Sequence, residues 1–360
     1  MEDLSLTVSE AGYVISMVTV FGALFGALFG IAADRLGHVR VAATGLMINA
    51  AGSFLGASSI TLNQLLLTRL IESAGFLMAI VALPSLISSI SNDRDRPLAM
   101  GVWGAFMPVG IALSMLITPT LVDWYGWRGL WNAVGMVMVL ASIVLVLAFH
   151  RHSRGDSKLG KSSMMLKAAL GKGPILVVLC FLFYSGLFVS LTQLFPTLLV
   201  SVHGLSVAGA AYLGMLVVLF NLFGNVFSGW LIRRGVPPWK LIFVAFVVMG
   251  LSALVIYSSF ISAWFKVLVG LLFSAIGGLI PGTAFVLAAK FAVKPSHMAL
   301  IAGMMFQGAG IGQTLGPIGV SALIGYLGAW DWAILQVVVI CCLAFWCVFE
   351  LRKDAGKQTD

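Results

Sequence analysis

The chain has 360 residues, of which 60% are apolar and 9% charged, against roughly 45–50% and 25% in soluble globular chains. So few charges cannot cover a water-soluble globule of this size, which excludes a soluble monomer. The net charge of +8 does not point to nucleic acid, because no basic run is interleaved with stacking aromatics. Cys180, Cys341, Cys342 and Cys347 all fall in apolar runs, without the spacing of a zinc site or of a secreted disulfide framework, and read as helix packing. The first eleven residues carry Glu2, Asp3 and Glu10 and lack the basic start of a cleavable signal peptide.

In chain order, the polar clusters leave eleven apolar stretches, at 12–33, 41–60, 64–91, 98–122, 129–149, 174–201, 208–232, 240–260, 264–289, 298–326 and 331–351. Each is long enough to cross about 30 Å of hydrocarbon as a helix. Membrane-barrel strands would alternate apolar and polar over about 10 residues. These stretches are continuously apolar and rich in Gly and Ala, so the predicted fold is an all-α membrane protein, a polytopic helical bundle.

Loops on alternate sides sort the charges. Loops 33–41, 91–98, 150–173, 232–240 and 290–297 with the tail hold 18 of the 21 Lys and Arg residues, leaving Arg69, Arg128 and Lys266 at or near the other side. The positive-inside rule then places those loops and the C-terminus in the cytoplasm, and the N-terminus outside. Trp124, Trp127, Trp131, Trp264, Trp330 and Trp332 gather at the opposite helix ends, as an interfacial aromatic belt does. The predicted organisation is an N-terminal half 1–149 with five spans, a basic cytoplasmic linker 150–173, a C-terminal half 174–351 with six spans, and a tail 352–360.

The halves resemble each other. The segment starting at Leu6 and ending at Tyr13 recurs from Leu205 to Tyr212; Asp34-Arg35-Leu36-Gly37 answers to Ile232-Arg233-Arg234-Gly235; Arg69 and Pro84, 15 apart, answer to Lys266 and Pro281, also 15 apart; Pro119 answers to Pro317. Offsets of 197–199 throughout indicate two parallel repeats. A full span precedes Leu205 while five residues precede Leu6, so one helix of the repeat is expected to be absent at the N-terminus. A longer reading frame or a truncation is expected over an eleven-span design.

The loop after the first stretch reads Gly30, Asp34, Arg35, Gly37, His38, Val39, Arg40. With the repeat, this resembles the signature between the second and third helices of the major facilitator superfamily of secondary transporters, with Val39 at a position that is usually basic. The resemblance extends over essentially the whole chain apart from the missing first helix. It implies a latch: Asp34, paired with nearby Arg or set against a helix end, with Arg35, Gly37 and Arg40 around it, holds the halves together on one side. Arg69, Glu72 and Gly75 are similar to the family's fourth-helix pattern. At i, i+3 the two charges share a face. Arg69 lies about 9 Å into its span and Glu72 deeper, and a carboxylate inside a membrane span is by default a functional candidate. If transport is proton-coupled, Glu72 is the first residue to test; a structural pair with Arg69 is the other reading. Gly101, Trp103, Gly104, Pro108 and Gly110 sit where the family has its antiporter motif, with Met107-Pro108 in place of Gly-Pro; such a helix can bend.

Glycine ridges recur at i+4: Gly22, Gly26 and Gly30 in the first stretch, Gly308, Gly312 and Gly316 in the tenth. In the family these two helices meet, so the ridges are expected to permit sliding. Polar residues inside apolar runs are the solute-site candidates: Gln193 beside Thr192, Asn221 and Asn225 on one face, Gln307 and Thr314 on another, with Tyr184 and Trp103 as aromatic walls. Each could instead hydrogen-bond between helices.

No Ser/His/Asp arrangement, phosphate-cradling loop or metal cluster appears; His38, His150, His152, His203 and His297 all fall in predicted loops. Neither catalysis, metal, cofactor nor nucleic acid is expected. The expected partners are the lipid bilayer, a small solute and protons, and the expected state is a monomer. The resulting function is gradient-driven alternating access in the inner membrane of a bacterium, with an organic anion as the solute. A hydrophobic drug exporter and a non-transporting sensor or scaffold that kept the fold are the alternatives.

Overall fold

The structure is a computed structural model that describes residues 8–149, 162–292, 294 and 298–356. Leu6 and Thr7 of the repeat, much of the 150–173 linker with His150, Arg151, His152, Arg154, Lys158 and Lys161, and also His297 and Lys357, lie outside the described residues.

The helices in order are α1 (Val8–Leu36), α2 (His38–Ala57), α3 (Leu62–Ile90), α4 (Arg96–Gly104), α5 (Phe106–Phe149), α6 (Ser162–Ala169), α7 (Lys172–His203), α8 (Val207–Arg233), α9 (Pro238–Tyr257), α10 (Ala263–Gly277), α11 (Leu279–Phe291), α12 (Ala299–Leu327) and α13 (Ala333–Gly356), with a 3₁₀ turn at Trp330–Trp332 before the last. No strand occurs among the described residues. An apolar chain of this length in hydrocarbon must satisfy its backbone internally, and helices do so within each segment. Nine segments among the described residues are long and apolar enough to cross a membrane. The 29-residue α1 and α12 coincide with the first and tenth predicted stretches but are not among the nine. In α12 the glycines, Gln307 and Gln313 dilute the apolar content.

Three predicted boundaries differ from the structure. The fourth stretch is broken at Ala105, between α4 and α5, and the ninth at Gly278, between α10 and α11. The fourth and fifth stretches run on through α5, interrupted at Gly126, whose backbone (φ 66, ψ 176) is open to glycine alone. The polar linker contains a short helix, α6, and ends where α7 begins at Lys172.

The chain forms two compact units. One comprises Met1–Ile90, Met115–Ala169 and Ala292–Gly310, the other Ser91–Ser114, Leu170–Phe291 and Ile311–Asp360. Neither coincides with a sequence repeat, for a local reason in each. In the first unit, α1 lies so close to the start of α12 that a Cβ on Gly26 would collide with the Gly303 carbonyl and one on Gly30 would stand 2.5 Å from the Ala299 oxygen. In the second, α4 lies equally close to α8, where a Cβ on Gly101 would stand 2.6 Å from the Asn225 carbonyl.

Candidate functional site

In the first unit, α2 and α3 approach through small residues. Cβ atoms on Gly45 and Gly52 would stand 2.6 Å from the Gly75 oxygen and the Glu72 Cγ respectively. Close approach of this kind places Glu72, 6% exposed, against the backbone of α2. Arg69 lies one turn earlier and meets the carboxylate at 2.7 Å. The guanidinium is covered by Trp131 from α5, 4.2 Å from its ring centroid, a cation–π contact that strengthens as water is excluded. Trp131 is held in turn: Ser53 Oγ donates to its carbonyl at 2.9 Å, and a Cβ on Gly56 would stand 2.6 Å from its ring. Asn49 donates to the Glu72 carbonyl at 2.9 Å. Arg69 Nε is buried with no hydrogen-bond partner. The predicted pair therefore forms, and Trp131, Ser53, Asn49 and the glycines of α2 support it. Gly45, Gly52 and Gly56, at spacings of seven and four, were the available sequence signal; nothing local marked Trp131, 62 positions from Arg69 in the chain.

The signature loop is in the same unit. Gly37 caps α2 with φ 96, a conformation that a side chain resists. Asp34 ends α1, and its two carboxylate oxygens accept the backbone N–H groups of Ala299, at 3.2 Å, and Leu300, at 2.9 Å. These are amides of the first turn of α12, left without partners in their own helix. Burial pushes the Asp34 carboxyl up to about 7 against the pull of the two amides. Arg40 and Arg35 are exposed, and the end of α12 holds the carboxylate through two backbone amides.

The predicted ridge glycines have different neighbours in each unit. Gly26 and Gly30 meet Gly303, Ala299 and Leu300, and Gly22 lies 4.0 Å, measured from an added Cβ, from the Phe306 carbonyl. Gly312 and Gly316, in the second unit, meet Leu182 and Gly186 of α7 instead. Gly308 is buried. One α-helix turns about 100° per residue, so α12 carries two glycine faces, of which the sequence reading had named one. Gln307 lies on the α1 face, its side-chain oxygen 3.4 Å from the Ala27 amide.

In the second unit, Asn221 and Asn225 share a face of α8 as predicted. Asn225 Nδ2 donates to the Asn221 side-chain oxygen at 2.8 Å, Tyr184 donates to the same oxygen at 3.3 Å, and Asn221 Nδ2 donates to the Ser274 carbonyl at 3.0 Å. Asn225 is wholly buried and packed on Gly104, so this is a close-packed polar knot joining α7, α8 and α10. Around it runs a chain of rings: Phe106 stacks on Trp103 (4.8 Å), then come Phe285 (6.4 Å from Trp103), Phe181 (6.0 Å), Tyr184 (6.0 Å) and Phe188 (5.4 Å). Gln193 is exposed and apart from the knot; Thr192 bonds back to the Phe188 carbonyl at 2.8 Å. Thr314 is half-buried on α12. Among the described residues, no group of three His, Cys, Asp or Glu side chains is arranged to hold a metal ion.

Lys266, which the charge count leaves at or near the outer side, is 1% exposed in the first turn of α10.

This architecture defines a multi-pass, all-helical membrane protein. The profile of the Major Facilitator Superfamily matches residues 1–308. The chain belongs to this superfamily, whose secondary transporters carry small solutes across membranes. It is 27% identical over 167 residues to the inner membrane transport protein YajR of Escherichia coli, a match that covers 46% of this chain and 36% of that protein. It is 22% identical over 276 residues to the 4-hydroxybenzoate transporter PcaK of Pseudomonas putida, covering 66% of this chain and 61% of that one. This chain thus spans between about a third and three fifths of the length of these relatives. In structure it resembles the E. coli transporter FucP in its outward conformation, with a TM-score of 0.77 at 16% identity, over 98% of this chain and 92% of that one.

Proposed function

We propose that the chain is a gradient-driven transporter of a small organic anion, working by alternating access in the cytoplasmic membrane of a bacterium. The observation that carries the reading is the Arg69–Glu72 pair, its carboxylate buried and its guanidinium half-buried, clamped between α2 and Trp131. Ionised groups inside a span are costly and persist where they serve a solute or proton path. Glu72 is the coupling carboxylate in this reading, and Arg69 holds its charge until a proton or an anionic solute competes for it. Similarity to a 4-hydroxybenzoate transporter agrees with an anionic solute. So does the buried charge: beside this neutral pair, the buried charged residue among the described ones is the cation Lys266. A hydrophobic drug exporter is the alternative, and such a solute has no need of a buried cation. Asp34 on the α12 end serves as the latch, with Gly37 shaping its loop and Arg35 and Arg40 as its basic surround. The distribution of Lys and Arg puts this end and the C-terminus in the cytoplasm. Residues 1–149 and 174–351 are the two repeats, and the expected working unit is a monomer.

Counterflow and gradient-driven uptake in proteoliposomes test the proposal. Wild type is expected to exchange labelled aromatic or aliphatic carboxylates, Arg69→Ala to lose both activities tenfold or more, and Glu72→Gln to keep counterflow while losing uptake driven by a proton gradient. Exchange of hydrophobic drugs alone would establish the exporter reading, and exchange of no solute by any version the scaffold reading.

A further inference from the structure

Where α9 begins and α13 ends, in the second unit, one indole gathers two cations. The half-buried Trp239 ring has the Lys240 ammonium 5.7 Å and the Arg352 guanidinium 5.1 Å from its centre, both within the range of a cation–π contact. Both cations are exposed, and among the described side chains no carboxylate forms an ion pair with either. Glu350, two positions before Arg352, is taken by Lys172 at 2.5 Å and Lys353 at 2.7 Å. Lys240 also stands in the first turn of α9, which has no acid and no side-chain cap, so it adds positive charge at the end of the helix where an anion is favoured. Beyond the cations the surface turns apolar. One turn along α9 lies Phe243, 44% exposed, whose ring packs on Phe345 of α13 at 5.5 Å. Phe349, 54% exposed, is one turn before Arg352 and has the Lys353 ammonium 4.7 Å from its ring centre. Both helices are long and apolar enough to cross a membrane, so charge at their ends and exposed rings one turn inward follow the profile of a lipid, with an anionic head and an apolar chain.

We propose that Lys240 and Arg352, gathered on Trp239, bind the phosphate of an anionic phospholipid whose acyl chain lies against Phe243 and Phe349. The Arg352 fork and the Lys240 ammonium supply charge-assisted hydrogen bonds to the phosphate oxygens. Trp239 sits at headgroup level, where an indole is favoured, and keeps the two like charges together. The rings decide for a lipid over a free anion, because inorganic phosphate would satisfy the cations and leave the rings bare. The site goes beyond the transporter reading and needs no cargo.

Thermal unfolding of the purified full chain in a neutral detergent, at constant ionic strength, tests this with phosphatidylglycerol, phosphatidylcholine, inorganic phosphate and a polyglutamate peptide as additives. A ligand that binds only the folded state raises the midpoint. Phosphatidylglycerol is expected to raise it by about 3 °C or more at saturation, and the other three to leave it unchanged. Lys240→Gln and Arg352→Gln are each expected to halve the shift or more, and the double variant to erase it. Lys240→Arg is expected to retain it. Lys290→Gln removes the same charge from an exposed position at the end of α11 and is expected to respond to phosphatidylglycerol as wild type does. Should the double variant fail to fold, Trp239→Leu decides, because it keeps both cations and removes the ring that gathers them: its shift is expected to be less than half that of wild type. Equal shifts with phosphatidylglycerol and phosphatidylcholine, or a phosphatidylglycerol shift that the double variant retains, would overturn the proposal. So would equal weakening by Lys290→Gln and Lys240→Gln, which would mean diffuse charge, and a shift with phosphate equal to that with lipid, which would mean a free-anion site. A shift with polyglutamate and none with lipid would overturn it in favour of an acidic protein segment.

Discussion

The Asp34 carboxylate accepts the backbone N–H of Leu300 at 2.9 Å, across 266 positions of sequence. A latch made from a helix end differs from an ion pair. The amides cannot be deprotonated, so the only titrating partner is the acid, and its burial sets the pH at which it ionises.

Asp34, just beyond the apolar stretch 12–33, makes stability depend on pH. Its pKa rises from 3.8 to about 7 on folding. Between those values the folded chain therefore holds a proton that the unfolded chain has lost, and the contribution of this group is full below 3.8 and declines as pH rises through 7. Between pH 5 and pH 8 the thermal midpoint of wild type is expected to fall by about 3 °C more than that of Asp34→Asn. Parallel pH profiles for the two proteins would show that Asp34 does not titrate in this window.

Removing Glu72 alone should cost more than removing the pair. Glu72→Gln leaves the Arg69 guanidinium, 23% exposed, without its counter-charge beside Trp131. We expect a loss of about 1–3 kcal/mol, the lower part of the range for broken buried pairs because Arg69 is partly exposed. Arg69→Ala/Glu72→Ala is expected to be no worse than Glu72→Gln. The cycle is read from chemical or thermal unfolding in detergent, and additive losses would mean that the two charges are not coupled.

Two glycines of α1 and α5 should respond in opposite directions. At Gly26 a methyl group collides with the Gly303 carbonyl, whereas at Gly110 there is nothing within 4 Å. Gly26→Ala is expected to lose about 1–3 kcal/mol by overpacking against backbone, and Gly110→Ala to gain up to about 1 kcal/mol from helix propensity. Unfolding midpoints of the two variants against wild type decide it.

Gly126→Ala tests the interruption in α5. Its backbone conformation is essentially closed to residues with a Cβ, and forcing one there costs on the order of 1–3 kcal/mol. Limited proteolysis around residue 126 is expected to become faster than in wild type. An unchanged rate would mean that α5 can straighten at no cost.

Much of this was legible in the linear chain. Apolar runs marked the helices because hydrocarbon leaves a spanning backbone few alternatives, and Arg69 with Glu72 stood out because charges there are rare. The partners were not legible. A span surrounded by lipid and by other spans is apolar all round, so periodicity does not say which face meets which neighbour. That is why Gly312 and Gly316 were expected opposite α1 and lie on α7, and why Asn225, a candidate for touching solute, is closed inside a hydrogen-bonded knot.

The amino-acid sequence by itself determined the membrane, the helices and the residues able to carry charge in the bilayer, since each follows from composition or run length along the chain. Only the tertiary structure decided that Trp131 covers Arg69, that a helix end receives Asp34, and that Lys266 is buried in the first turn of α10. Those depend on which surfaces of different helices come within a few ångströms, a matter of close packing between segments far apart in sequence that no local pattern encodes.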